Sequence, residues 1–258
     1  MQVVFLVMMF VVGACVGSFL CCEARRMREK EVGRKKLGPR SICLKCGHRL
    51  SWYENIPILS WIVLRGKCRR CKARIGYLEI FSEVATAIIM ALIATTINIT
   101  EANLIDWLLF GSLFLLISAL VFLALYDGMY GELPVTVLIM AAVFALAYSI
   151  LRIINGEVDI VGTIISAVIL GGLYLVLFSG SRGKWVGDGD WILAGIIGLA
   201  LGRPFYALLT LFLSNFTACI IMWPYVRKSK NRKIYFGPFL VFGFIVSLMV
   251  INYGIINI

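Results

Sequence analysis

The sequence predicts an all-α integral membrane protein of about eight transmembrane helices, with a small cytoplasmic zinc-ribbon-like module inserted between helices 1 and 2. Three observations carry that prediction. Hydrophobic residues make up 61% of the 258 and the mean hydropathy is +0.93, well above the roughly 45–50% apolar content of soluble domains. Apolar runs alternate with short polar breaks over most of the chain. The one long polar stretch holds two Cys-x-x-Cys pairs.

Charge divides the chain in the same way. Between Glu23 and Leu78 there are 16 Lys+Arg and 4 Asp+Glu, whereas the remaining residues carry 9 and 10. A basic loop kept on the cytoplasmic side fixes the orientation of a membrane protein. That reading is preferred to nucleic-acid binding, because few stacking aromatics are interleaved with the basic residues. The expected division is 1–22 as a first transmembrane helix, 23–78 as the basic module and 79–258 as a membrane core.

Met1 to Cys22 is long enough to cross a bilayer and is followed by Arg25, Arg26 and Arg28. A signal peptide would carry its charges before the apolar run, so this is read as a retained helix with its N-terminus outside. Next comes the basic module. Cys43-x-x-Cys46 and Cys68-x-x-Cys71 are separated by 21 residues, and four thiolates make the closed tetrahedral site of structural zinc. Redox chemistry is the competing reading, but it typically uses a single pair at a helix start. His48 reads as a neighbour of the site or a surface group rather than a ligand. Cys15, Cys21, Cys22 and Cys219 read as small packing residues. Ser51 to Trp61, rich in aromatics, reads either as packing for the module or as an interfacial segment.

Seven further apolar spans follow, at about Ile80–Ile97, Leu104–Tyr126, Pro134–Leu151, Ile160–Phe178, Trp191–Leu201, Phe205–Trp223 and Phe236–Tyr253. Trp191–Leu201 is too short for about 30 Å of hydrocarbon at 1.5 Å per residue. It either begins earlier, near Gly187, or lies in a thinner or water-filled part of the protein. Charge still favours eight crossings. The inside loops then carry Arg182, Lys184, Arg227, Lys228, Lys230, Arg232 and Lys233 in addition to the module, while the outside loops carry mostly acids.

That topology brings Asp127, at the end of the third span, to the same membrane edge as Asp190, at the start of the sixth. A carboxylate at such a place is costly and usually functional. Two carboxylates brought together divide the labour: one retains a proton and the other acts as base, activating water against a peptide carbonyl. Taken singly, Asp190 also reads as a helix N-cap and Asp127 as a helix-end residue in a turn containing Gly128 and Gly131. Asp188 rivals Asp190 for the second acid, and Asp190 is preferred because it adjoins the apolar span. Gly187 and Gly189 read as substrate-binding backbone that an extended peptide can approach closely.

Several of these stretches resemble the type IV prepilin peptidases, GxGD aspartyl membrane proteases. They are Gly17-Ser-Phe-Leu20, Cys43-x-x-Cys46-Gly47-His48, Trp52 to Trp61, Arg65-Gly-Lys-Cys68-x-x-Cys71, Asp127, Gly187-Asp-Gly-Asp190 and Phe236-Gly-Pro-Phe239. The resemblance implies that Asp127 and Asp190 are a catalytic pair. It implies an inner-membrane enzyme that removes the leader of pilin-like precursors at the cytoplasmic face, with membrane lipid as its other partner and no nucleic acid. Many members of that family also methylate the new N-terminus with S-adenosylmethionine. Three stretches depart from the family's pattern: Cys21-Cys22-Glu23-Ala24-Arg25 follows the first motif, Val135 follows Pro134, and Trp191-Ile192 follows Asp190 without a lysine. A non-enzymatic membrane scaffold whose zinc module docks a cytoplasmic partner is the alternative.

Overall fold

The computed structural model describes residues 1–32, 41–43, 45–181, 187–228 and 235–254, and of residues 223–228 the backbone alone. The inside-loop charges Arg182, Lys184, Lys230, Arg232 and Lys233 lie outside the described residues. The helices are α1 (Gln2–Glu31), α2 (Leu59–Val63), α3 (Tyr77–Ala94), α4 (Leu104–Tyr130), α5 (Val135–Ile154), α6 (Ile160–Ser181), α7 (Asp190–Leu201), α8 (Pro204–Lys228) and α9 (Gly237–Asn252). Six of them (α1, α3, α4, α5, α6 and α8) are long and apolar enough to cross a membrane, and α7 and α9 are shorter apolar helices. The chain is thus all-helical and multi-pass, with the cysteine module between α1 and α3. It divides into two compact units, Met1–Thr95 and Thr96–Ile258.

In the first unit α1 and α3 pack closely. A Cβ on Gly13 would lie 2.8 Å from Ala87 Cα, and one on Gly17 would lie 3.0 Å from Glu83 Cα, so glycine lets the backbones meet. The first helix does not stop at Cys22, as its apolar run suggested, but continues to Glu31. Arg26 pairs with Glu23 at 3.3 Å, Arg28 with Glu31 at 3.5 Å, and Arg25 reaches Glu79 of α3 at 2.6 Å. Helix propensity and these pairs carry the helix past the end of its apolar face.

The aromatic block resolves into a short 3-10 turn, Trp52–Asn55, and α2. Between them the N–H of Leu59 donates to Pro57 O at 2.6 Å around Ile58, whose φ is 62° and ψ −54°. This is the rare φ-positive γ-turn, strained for a β-branched residue. The buried carboxylate of Glu83 holds it, accepting the Ile58 N–H at 2.7 Å.

In the second unit each helix begins or ends on an identifiable signal. Asn103 and Asp106 exchange side-chain bonds at the start of α4 at 3.0 and 2.9 Å, a reciprocal cap. Gly131, at φ 69°, closes α4 in the left-handed conformation. Asp159 accepts from Gly162 N at 2.8 Å at the head of α6. The short α7 packs against α5, α6, α8 and α9, and most of its side chains are buried. That contact explains its length: a helix enclosed by four others need not match the hydrocarbon thickness. Its C-terminal carbonyls, at Ala200 and Leu201, accept from the buried Arg152 at 3.0 Å each, and Arg152 also donates to Glu157 at 3.0 Å. Along α6, a Cβ on Gly171 would lie 3.0 Å from Gly195 Cα, and one on Gly198 would lie 2.8 Å from Ala167 Cα.

Candidate active site and metal centre

Asp127 lies inside α4, three residues before its end, rather than in a loop after the span. Gly128 is helical, and the turn is made by Gly131, whose N–H returns to Asp127 O at 2.7 Å. The tail of α4 therefore projects the side chain inward, and Asp127 is 5% exposed. Its Oδ2 accepts the N–H of Gly237, the first residue of α9, at 2.8 Å. A Cβ on Gly237 would meet the Asp127 Oδ2 at 2.8 Å, so any larger residue there has to push the carboxylate aside.

Asp190 is the first residue of α7 and is likewise 5% exposed. It is not the N-cap, a position that Gly189 occupies; its Oδ2 instead reaches back to the Gly187 N–H at 2.8 Å. A Cβ on Gly187 would stand 3.1 Å from the same oxygen, and Gly189 packs where Leu133 would meet an added Cβ at 2.8 Å. Asp188 sits in the turn and is exposed. Burial thus separates the two rivals, with Asp190 inside and Asp188 at the surface.

The Asp190 carboxylate lies within electrostatic reach of Asp127, and α7 packs against α9. Both carboxylates stand at helix N-termini, where unpaired N–H groups and the macrodipole favour negative charge. The geometry suits a pair of acids that hold and pass one proton in a water-poor setting. Two residues that composition alone did not single out belong to this neighbourhood. Gly237 is signalled by the Phe236-Gly-Pro-Phe239 stretch, which carried no role until its N–H met Asp127. Tyr174, buried in α6, has its ring 5.3 Å from that of Phe236 and gave no local signal.

In the first unit Cys43, Cys46, Cys68 and Cys71 have their sulfurs within 4.8 Å of one another. The two knuckles repeat one pattern. Cys43 N donates to His48 O and Cys68 N to Ala73 O, both at 2.8 Å, while Gly47 N returns to Cys43 O and Lys72 N to Cys68 O, both at 2.9 Å. Gly47 and Lys72 hold the same left-handed position, at φ 68° and 57°. The Cys43 and Cys71 sulfurs are 3.8 Å apart, and a tetrahedron with Zn–S of about 2.3 Å has an S···S edge of about 3.8 Å. The backbone N–H of Cys71 holds the Cys68 thiol below its ordinary range. Cys43 is drawn down to about 7, where burial opposes ionisation but the N–H groups of Cys46 and Lys45 outweigh it. The four residues fit a metal that binds thiolate. His48 is not in the cluster, and its Nε2 lies 3.3 Å from Glu54. The Ser51 N–H, foremost, keeps the Glu54 carboxyl below the usual range, with His48 adding to it.

A cavity of about 500 Å³ lies in the same unit, lined among others by Arg25, Trp61, Arg74, Glu79 and Glu83. Trp61 Nε1 and Glu79 Oε2 are buried without a hydrogen-bond partner among the described residues.

Known proteins resemble this chain over part or most of its length. Residues 11–97 match the family model described as Bacterial Peptidase A24 N-terminal domain. A protein of Vibrio cholerae named Prepilin leader peptidase/N-methyltransferase is 26% identical over 95% of this chain and 97% of its own length. One of the same name from Pseudomonas aeruginosa is 27% identical over 95% of this chain and 90% of its length. Another from Myxococcus xanthus is 44% identical over 33% of this chain and 24% of its own. No solved structure matches the chain.

Proposed function

We propose that the chain is a membrane aspartyl endopeptidase removing the leader from prepilin-like precursors, a reading supported by its similarity over most of its length to bacterial proteins named prepilin leader peptidase/N-methyltransferase. The observation that carries this reading is the pair of buried carboxylates, Asp127 and Asp190, each fixed by one backbone N–H, with Asp190 within electrostatic reach of Asp127. One carboxylate takes a proton from water, which attacks the scissile carbonyl; the other, protonated, gives its proton to the departing amine. Gly187, exposed ahead of Asp190, leaves a backbone edge for an extended peptide.

The excess of basic residues between Glu23 and Leu78 supports a cytoplasmic position for that module. With it go both termini outside, an inner-membrane location and a site opening to the cytoplasm. Cys43, Cys46, Cys68 and Cys71 would hold one structural zinc, and their sulfur spacing supports it. The relatives' second activity supports a methyl donor as well. S-adenosylmethionine, when bound, supplies an electrophilic methyl group to the new N-terminal amine. The cavity in the first unit offers an unpaired donor at Trp61 and an unpaired carboxylate oxygen at Glu79 to hold it.

The test replaces Asp127 or Asp190 singly by Asn and follows leader removal from a co-expressed prepilin. Both variants are expected to lose cleavage while remaining in the membrane. Full cleavage by either overturns the assignment.

A further inference from the structure

Tyr174 is 1% exposed, and a phenol so enclosed needs partners for both its oxygen and its hydrogen. One partner is settled by geometry. The Nδ2 of Asn215 donates to Leu211 O at 2.8 Å and to the Tyr174 hydroxyl at 3.3 Å. A carbonyl can only accept, so the first bond requires the NH2 and not the oxygen of the Asn215 amide to face it, which fixes how the amide is turned. Tyr174 is consequently the acceptor in the second, and its own hydrogen points elsewhere. No acceptor for that hydrogen is found among the described residues.

The register of α6 on α7 says which part of the fold Tyr174 lies beside. Gly198 meets Ala167 and Gly195 meets Gly171, so the helices run antiparallel and the next turn of α6, at Tyr174, comes level with the start of α7 at Asp190. On its other side the Tyr174 ring packs 5.3 Å from Phe236, the residue before Gly237, whose N–H holds Asp127. Tyr174 thus lies between the supports of the two aspartates, and Asp190 is within its electrostatic reach.

We propose that Tyr174 is a further catalytic residue: its phenol hydrogen, aimed by Asn215, donates to the scissile carbonyl oxygen as charge develops there. This rests on the peptidase reading. As the water oxygen bonds to the carbonyl carbon, one water proton passes to the basic carboxylate and the C=O π pair moves onto oxygen. Tyr174 stabilises that oxygen by a hydrogen bond and keeps its own proton. When the pair returns, the C–N bond breaks and the acidic carboxylate protonates the nitrogen. A fixed donor at a developing oxyanion acts only in the transition state, so its removal lowers kcat and leaves KM nearly unchanged.

The experiment compares wild type, Tyr174→Phe, Asn215→Leu and the double variant, purified in detergent, on one prepilin. Tyr174→Phe is expected to lower kcat by about 10²-fold, in the range for an oxyanion donor, with KM within about threefold. It is also expected to weaken a hydroxyl-isostere peptide inhibitor by a similar factor. Asn215→Leu is expected to lose less, and the double variant to be no worse than Tyr174→Phe, because Asn215 acts through the phenol. Wild-type kcat in Tyr174→Phe overturns the proposal, as do additive losses in the double variant. Should Tyr174→Phe fail to fold, wild-type kcat in Asn215→Leu overturns it alone. A wild-type enzyme that cuts no prepilin refutes the peptidase reading instead, so the two failures are distinguishable.

Discussion

Gly237→Ala tests how tightly the structure sets the position of Asp127. The added Cβ would stand 2.8 Å from the Asp127 Oδ2 and 3.2 Å from its Cβ and Cγ, whereas carbon and oxygen rest at about 3.3–3.6 Å. About 0.5 Å has to be found. It cannot come from α9 cheaply, because Gly237 is the first residue of a helix packed on α4, α7 and α8, so the carboxylate gives way and its 2.8 Å bond to the Gly237 N–H weakens. A misplacement of about 1 Å costs about 10²-fold in rate, and a hydrogen bond to a charged group is worth about 1.5–3 kcal/mol. Both point to a fall in kcat of about 10-fold or more, with helix stability unharmed, since alanine is the better helix former. Gly187→Ala, where the added carbon meets Asp190 Oδ2 at 3.1 Å, is expected to lose only a few-fold. Gly128→Ala, 3.6 Å from Pro238 Cγ, is expected to behave as wild type. Steady-state cleavage of a purified prepilin, with thermal melting of each variant, measures the series. A Gly237→Ala enzyme within twofold of wild type, or an inverted order among the three, refutes the argument.

Two further predictions concern the first unit. Metal analysis of the purified protein is expected to find one zinc per chain, and Cys43→Ser or Cys68→Ser to abolish it and to open the unit to protease; no metal with four freely reactive thiols sinks the assignment. Glu83→Ala leaves the Ile58 N–H without its acceptor and is expected to cost about 1–3 kcal/mol, whereas Glu83→Gln keeps an acceptor and is expected to cost less. Hydrogen exchange at Ile58 reads the difference, and equal effects would show that the carboxylate does not hold the turn.

Much of the fold was legible because membrane helices advertise themselves by length and hydropathy, and the two Cys-x-x-Cys pairs carry their geometry in their spacing. The ends of elements were not. The apolar run stops at Cys22, but the helix does not, since Arg26 and Arg28 find acids one turn away. The apolar stretch before Asp127 likewise gives no sign that α4 continues to Tyr130. The short α7 looked anomalous only because its four neighbours are invisible in a linear reading. At the site, Asp127 and Asp190 were legible as charges at the edges of apolar runs. Gly237 and Tyr174 were not, because a backbone N–H and a buried phenol acquire meaning only from what folds against them.

The contact of α6 with α7 has a mechanical consequence. Where Gly171 faces Gly195 and Gly198 faces Ala167, backbone lies against backbone and no rotamer stands between them to yield. Close-packed atoms resist sliding steeply, so α6 and α7 behave as one anvil that carries Asp190. Asp127 reaches the site differently, through the tail of α4 and a single bond to the head of α9. The two aspartates are therefore carried on separate supports, Asp190 by a backbone-to-backbone contact and Asp127 by a helix tail.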